Sequence, residues 1–278
     1  MKKRILIQRI SASNPESPAS KMYESLLIRN CGLAKTPDTE ITIRLLRRGL
    51  NRLHEFAYSH LHYLNDREVF EAVLQGEKDG FDAVIVYCFS DPALEEMRQA
   101  LRIPVIGLGQ SSMMVASLMG ARFGLVAMSA ASTARNEQLA RKYGFFDKII
   151  SPIRPLPLPL AEQEKSILNA GPGIDAFRQV AREYIQNGAE VLIAACGALN
   201  LVLKFCPGCP ELPDGLSELD GVPIVDSVSA AVKLAEMLVE FKMAGIPWIS
   251  RKGAYSQPAE EITAEAIRKM GYEFGGVI

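Results

Sequence analysis

Phe81–Cys88 reads FDAVIVYC and Ala189–Cys196 reads AEVLIAAC, two short apolar runs 108 residues apart, each ending in a cysteine. A continuous apolar run of this length fits a strand buried on both faces, as in a parallel sheet covered by helices. The likeness extends outward on either side. Arg4–Ser11 (RILIQRIS) resembles Arg122–Ser129 (RFGLVAMS) at an offset of 118, and Pro104–Gly107 (PVIG) resembles Pro223–Asp226 (PIVD) at an offset of 119. The last pair leads into matching amphipathic stretches, Ser111–Met119 and Ser229–Leu238. Between the second and third pairs the offset grows by 11 residues, which places an insertion in the Pro-rich segment Cys206–Gly215.

Helical spacing is readable at Glu68–Asp79, Pro92–Ala100, Thr133–Tyr143, Ile174–Asn187 and Ala259–Met270. Strands alternating with helices predict an α/β fold of two pseudo-symmetric domains, each a parallel sheet flanked by helices. In such sheets ligands bind beyond the carboxyl ends of the strands. Cys88 and Cys196 both fall there, so the repeat predicts that they face one cleft from opposite sides.

Composition narrows the partner. At 278 residues the chain has room for two cores, and 48% apolar with 23% charged residues is ordinary for a globular protein. A formal net charge of −1 with scattered Lys and Arg gives no footprint for nucleic acid or a membrane surface. No apolar run approaches the roughly 18 residues of a spanning helix. The start, Met1–Arg4 followed by a short apolar run, is too short and too polar for a secretory signal. The expectation is a cytoplasmic protein with a small-molecule substrate. In that compartment five cysteines are not read as a disulfide framework, and each needs its own reason.

A lone cysteine at the end of a buried strand is ordinarily a packing residue. Two at matching positions of a repeat ask for chemistry. After Cys88 come Phe89, Ser90, Asp91 and Pro92, where Ser or Asp could cap a helix and Pro suits its first turn. After Cys196 come Gly197 and Ala198, which leave backbone N–H groups uncovered. A helix N-terminus lowers a thiol pKa and offers donors to an anion. Moving a proton from one face of a carbon to the other takes a base, an acid and donors for the enolate oxygen between them. The two cysteines supply the first two, and the backbone at Phe89 and Gly197 is the candidate for the third.

The segments Cys88-Phe-Ser-Asp-Pro92 and Ala195-Cys-Gly-Ala-Leu199 resemble the Cys-Phe-Gly-Asp-Pro and Gly-Cys-Ala-Gly-Met motifs of the aspartate/glutamate/hydantoin racemase superfamily, in its hydantoin (allantoin) racemase branch. Ala231–Glu236 and Ser250–Tyr255 are similar to that branch's C-terminal helix and tail. The resemblance implies a cofactor-independent racemase, without metal, PLP or nucleotide, whose site lies between the two domains. Cys88 and Cys196 would serve as acid and base on the Cα of a 5-substituted hydantoin or amino-acid-like compound. It implies a chain that crosses over twice, with residues 1–109 and 226–278 forming one domain and 110–225 the other, and a homo-oligomer. Asn14 and Ser11 would contact substrate from the first half and Ser129, the repeat partner of Ser11, from the second. Phe89, Ser90, Gln110, Gly197 and Ala198 complete the expected binding set.

Ser90 stands where the motif has Gly, and Gln110 where many relatives carry Glu. Cis–trans isomerases and decarboxylases of small dicarboxylates share the superfamily, and a non-catalytic small-molecule binder is a further alternative. His54, His60 and His62, among Arg44, Arg47, Arg48 and Arg52, read either as a basic entrance for an anionic substrate or as a solvated helix face.

Other motifs carry less. Cys206-Pro-Gly-Cys209 lacks a second ligand pair for zinc and a following helix for thioredoxin-like chemistry, so it reads as a rigid loop over the cleft. Cys31, after a first helix, reads as packing. Gly107-Leu-Gly-Gln-Ser-Ser112 lacks the third glycine of a dinucleotide fingerprint and follows a late strand; a tight turn at the cleft is the better reading. Pro152–Pro159 reads as an extended surface connector.

Overall fold

The computed structural model of the chain describes residues 2–12 and 14–269. The first half runs β1 (Lys3–Arg9), α1 (Pro18–Ala34), β2 (Thr39–Arg44), α2 (Ser59–Lys78), β3 (Ala83–Tyr87), α3 (Leu94–Ala100) and β4 (Val105–Gly107). These strands form one parallel sheet in the order β2-β1-β3-β4. The chain continues with α4 (Leu108–Met119), β5 (Phe123–Ala127), α5 (Ala130–Lys142), β6 (Arg154–Pro155), α6 (Leu160–Lys165), α7 (Gly171–Gln186), β7 (Val191–Ala194) and α8 (Gly197–Phe205). The second sheet, β6-β5-β7, is again parallel, and Ile224 adds a parallel bridge to Leu192 where the first sheet has β4. A small antiparallel hairpin, β8 (Glu218–Leu219) with β9 (Val222–Pro223), precedes α9 (Ser227–Met243) and α10 (Glu260–Lys269).

The repeat therefore reads through into structure. β1 and β5, β3 and β7, and β4 and Ile224 occupy equivalent places in α/β sheets flanked by helices. Residues 83–87 and 191–194 are buried throughout, as their unbroken apolar runs require. The edge strands had weaker signals. Pro152–Pro159 is not a free surface connector: Arg154 and Pro155 pair with Val126 and Ala127, and Ile153 and Leu156 are buried beside them. An edge accepts the prolines because one side of the strand needs no ladder bonds.

Two helices bind the halves together. α4 leaves the first sheet and packs against β7 as well as α9, while α9 leaves the second and packs against α1, β3 and β4. Farther on, Arg251 donates to the carbonyls of Arg98 and Leu101 at the end of α3, at 2.9 and 2.6 Å. The expected helix Ala259–Met270 is found as α10, and Met270 lies outside the described residues. Among the described residues no helix is long and apolar enough to cross a membrane.

Candidate active site

The carboxyl ends of β1, β3, β5 and β7 open on one cavity of about 640 Å³, walled by both halves of the chain. A cavity of that size suits a small-molecule ligand. Cys88, just past β3, and Cys196, just past β7, line it together, and each keeps part of its surface open. Ser11, Asn14, Phe89, Ser90, Ser129, Gly197 and Ala198 line it too.

The two cysteines are differently placed. Cys196 is the N-cap of α8, which starts at the very next residue. Burial pushes its thiol up to about 11; the N–H groups of Leu199 and Ala198 work against that, and the charge of Cys88 adds to it. The expected lowering by the helix end is thus present but outweighed by desolvation. Past Cys88 no helix begins at once: α3 starts at Leu94, after Asp91 and Ala93 have taken left-handed φ values of 47° and 48°. The Cys88 sulfur instead lies 3.1 Å from the Ser90 hydroxyl, which lies 3.2 Å from His62 Nε2. His62 Nδ1 in turn lies 2.9 Å from Asp66 Oδ1. Burial disfavours charge on this imidazole, but Asp66 and the Cys88 sulfur more than offset it and push it up to about 9.

His62 was hidden in the basic segment, where a solvated face was the competing reading. That reading holds for His54 and His60, which are exposed, and for Arg44 and Arg48, which pair with Asp79 and Glu68. It fails for His62, which is buried and lines the cavity. The missed signal was periodic: His62, Asn65, Val69 and Val73 form one buried stripe of α2, a helix that begins nine residues before the expected Glu68. Arg9 was missed as well. It lines the cavity almost fully buried, its guanidinium 4.1 Å over the Tyr23 ring, and with Arg52 and Arg135 it outnumbers Glu164 on the wall. The arginines of the cavity wall therefore come from three separate segments.

Gln110 is not part of this wall. Its side-chain oxygen accepts from Arg98 at 2.7 Å and its backbone N–H donates to Asp91 at 2.7 Å, which directs it away from the cavity. Asp91 also takes the Gly109 N–H at 2.8 Å and the Tyr143 hydroxyl at 3.0 Å. It caps α4, not the helix that follows it, and burial pushes its carboxyl up to about 6. This explains the two glycines of Gly107-Leu-Gly109. A Cβ on Gly107 would lie 2.4 Å from the Asp91 carboxyl, and one on Gly109 would lie 2.1 Å from the Phe89 carbonyl.

The loop Cys206–Cys209 does not cover the cleft. Cys206 closes α8 in a left-handed conformation, the Pro207 carbonyl accepts from Ala170 at the start of α7, and both thiols are free and buried there. Cys31 lies in the last turn of α1, packed in the core. Ser129 caps α5 by accepting from the Ser132 N–H, so its oxygen is already engaged.

Two parallel-sheet halves, with a cysteine past the third strand of one and at the matching place in the other, have a counterpart among known sequences. The pattern of the Asp/Glu/Hydantoin racemase family matches residues 20–235. The chain belongs to that family. As a family member it is similar to a hydantoin racemase of Pseudomonas sp. (strain NS671), 29% identical over 210 residues that make up 75% of this chain and 77% of that one. A hydantoin racemase of Rhizobium meliloti is 33% identical over 167 residues, 60% of this chain and 64% of that one. Allantoin racemase from Klebsiella pneumoniae shares the fold, with a TM-score of 0.74 at 21% identity over 93% of this chain and 95% of that one. The Asp/Glu/hydantoin racemase assignment makes this chain an isomerase of the racemase type.

Proposed function

We propose that the chain racemises a small carbonyl compound with an acidic Cα–H, a 5-substituted hydantoin in the first instance, with Cys88 and Cys196 as its two proton carriers. The observation that carries this is that both thiols, from equivalent strand ends of the two halves, open on one cavity. Substrate carbon lying between them loses its proton to one sulfur and receives one from the other. A raised pKa suits Cys196 to arrive as a thiol and donate, since a group needs its proton to act as acid. The cavity supports the substrate class. Leu53, Phe56, Leu156, Leu160 and Val202 offer an apolar wall for the ring substituent, while Arg9, Ser11 and Asn14 offer polar contacts for the ring and for a negative charge that develops on it.

The test is exchange in D₂O with each enantiomer of a 5-substituted hydantoin. Both enantiomers are expected to racemise and take up deuterium at Cα faster than in the enzyme-free control. Absence of exchange with hydantoins, aspartate and glutamate alike overturns the proposal.

A further inference from the structure

The surroundings of the two sulfurs differ in kind, and the difference reaches solvent on one side only. From Cys88 a file of side chains runs through Ser90 and His62 to Asp66, with steps of 3.1, 3.2 and 2.9 Å. His62 is 7% exposed, whereas the Asp66 side chain, one turn further along α2, is 26% exposed. The inner end of the file is in the cavity and the outer end meets water. Phe56 holds the imidazole edge-on, with ring centroids 6.0 Å apart. At Cys196 the neighbours are the N–H groups of Leu199 and Ala198 and, within electrostatic reach, the hydroxyls of Tyr23 and Tyr87, which burial holds in the protonated form. Amide N–H groups stabilise a negative sulfur but are far too weak as acids to pass a proton on.

We propose that His62 and Ser90 form a proton relay that exchanges the proton held by Cys88 with solvent while substrate occupies the cavity. Cys88 then loses the substrate's own proton within a turnover and Cys196 keeps it. This rests on the racemase reading above. In the relay the Cys88 S–H bond breaks and its proton goes to Ser90 Oγ, as the Ser90 proton goes to His62 Nε2. The products are a Cys88 thiolate, a neutral Ser90 hydroxyl and an imidazolium paired with Asp66, so charge and protons balance. While Cys88 is the thiolate, the Ser90 hydroxyl and the imidazolium reorient and trade their O–H and N–H protons with water at the exposed side of Asp66. The relay, running back, then returns a solvent proton to Cys88. Asp66 and a negative Cys88 sulfur both favour charge on His62, so the imidazolium is stabilised in the state in which Cys88 has given up its proton. Histidine suits a shuttle because it accepts on one ring nitrogen while the other holds its partner. His62 and Ser90 are positioning and relay groups; Cys88 remains the group that meets the substrate.

The relay has a readout that a purely structural role does not move. Enantiomers are equal in free energy, so any variant must lower kcat/KM equally in both directions. The deuterium found in unreacted substrate obeys no such constraint. Each enantiomer of 5-(2-methylpropyl)hydantoin is incubated in D₂O, stopped early, and unreacted substrate is separated from product on a chiral column before mass spectrometry. The enantiomer whose Cα–H faces Cys88 is expected to return deuterated several-fold more, per racemisation event, than its mirror image. His62→Gln and Ser90→Ala are each expected to bring that excess down to the level of the mirror enantiomer. Equal exchange for the two enantiomers in the wild type overturns the relay, as does an excess that survives in both variants. If the wild type racemises no hydantoin, the functional reading itself fails and the relay falls with it.

Discussion

The Tyr87 hydroxyl donates to the Gly197 carbonyl at 2.9 Å, so the residue before one cysteine holds the residue after the other. The contact joins the end of β3 to the start of α8 and bears on how far apart the sulfurs stand. It also dictates the glycine, since a Cβ at Gly197 would come within 2.7 Å of the Tyr87 ring. Tyr87→Phe removes this hydrogen bond while the Gly197 carbonyl keeps its place at the start of the helical ladder, at a cost of about 0.5–1.5 kcal/mol. A urea midpoint shift with unchanged slope checks that cost, and kcat/KM is expected to fall by the same factor for both enantiomers. Gly197→Ala pushes on the buried Tyr87 ring, next to Cys88, and is expected to lower activity and to cost about 1–3 kcal/mol of stability together.

Replacing either cysteine separates the two faces of the reaction. Cys88→Ser and Cys196→Ser are each expected to lower racemisation by about 10²–10⁴-fold, the usual worth of a positioned acid or base. Cys196→Ser should still exchange Cα–H in the enantiomer that faces Cys88, and the double variant should exchange neither. Polarimetry together with mass spectrometry on one sample gives both rates. Comparable loss of activity in Cys31→Ser, a core residue outside the cavity, would contradict the assignment.

Glu236 carries a pH-dependent part of the stability. From α9 it accepts from the Thr36 N–H at 2.6 Å, from the hydroxyls of Thr36 and Thr39 at 2.8 and 2.6 Å, and from Lys233 at 2.9 Å. Burial raises its pKa, but these donors outweigh it and bring the carboxyl down to about 2 from 4.5. A folded-state pKa below the unfolded value stabilises above the unfolded pKa. That stability is lost as pH falls from about 4.5 to about 2. At 1.36 kcal/mol per unit the contribution is about 3 kcal/mol at neutral pH. Glu236→Gln is expected to lower stability by that order at pH 7 and to flatten the acid limb of a stability-against-pH curve.

Gly109 should be intolerant of a single methyl group. The Phe89 carbonyl occupies the space a Cβ would need, and the Gly109 N–H is one of the two that cap onto Asp91. Gly109→Ala is expected to destabilise by about 1–3 kcal/mol, the usual range for overpacking a filled interior. Gly144→Ala is not a fair control, since Gly144 has a φ of 75°; Gly32→Ala, in open space within α1, should be neutral or stabilising. Thermal melts of the two variants side by side decide this.

How much of this was legible in sequence depends on whether a feature repeats. The pairs β1/β5 and β3/β7 were visible because buried parallel strands must be apolar on both faces, which writes an unbroken run twice. The edge strands β2 and β6 lack that requirement, and one of the two residues of β6 is a proline besides, so neither stood out. The place of Cys88 and Cys196 on one cavity follows from the same repeat. The surroundings that make them unequal do not. His62 comes from a helix with no cysteine near it in sequence, Asp91 caps a helix other than its own, and Arg9 is on a strand whose repeat partner, Ala127, carries no charge. Gln110 showed the converse, a residue next to a plausible motif whose side chain is already spoken for by Arg98.

The exchanged positions of α4 and α9 have a mechanical consequence. Each half of the molecule finishes its packing with a helix that continues from the other half, and the two helices also lie against each other. Lys3 on β1 fastens this arrangement by pairing with Glu240 of α9 at 2.7 Å. The cleft is therefore slung between two straps running in opposite directions, not hung on one pivot. Pulling the sheets straight apart loads both straps at once, while a small rocking about the α4–α9 seam loads neither. Substrate entry should use the second motion, which changes the gap between the sulfurs while leaving the helix seam intact.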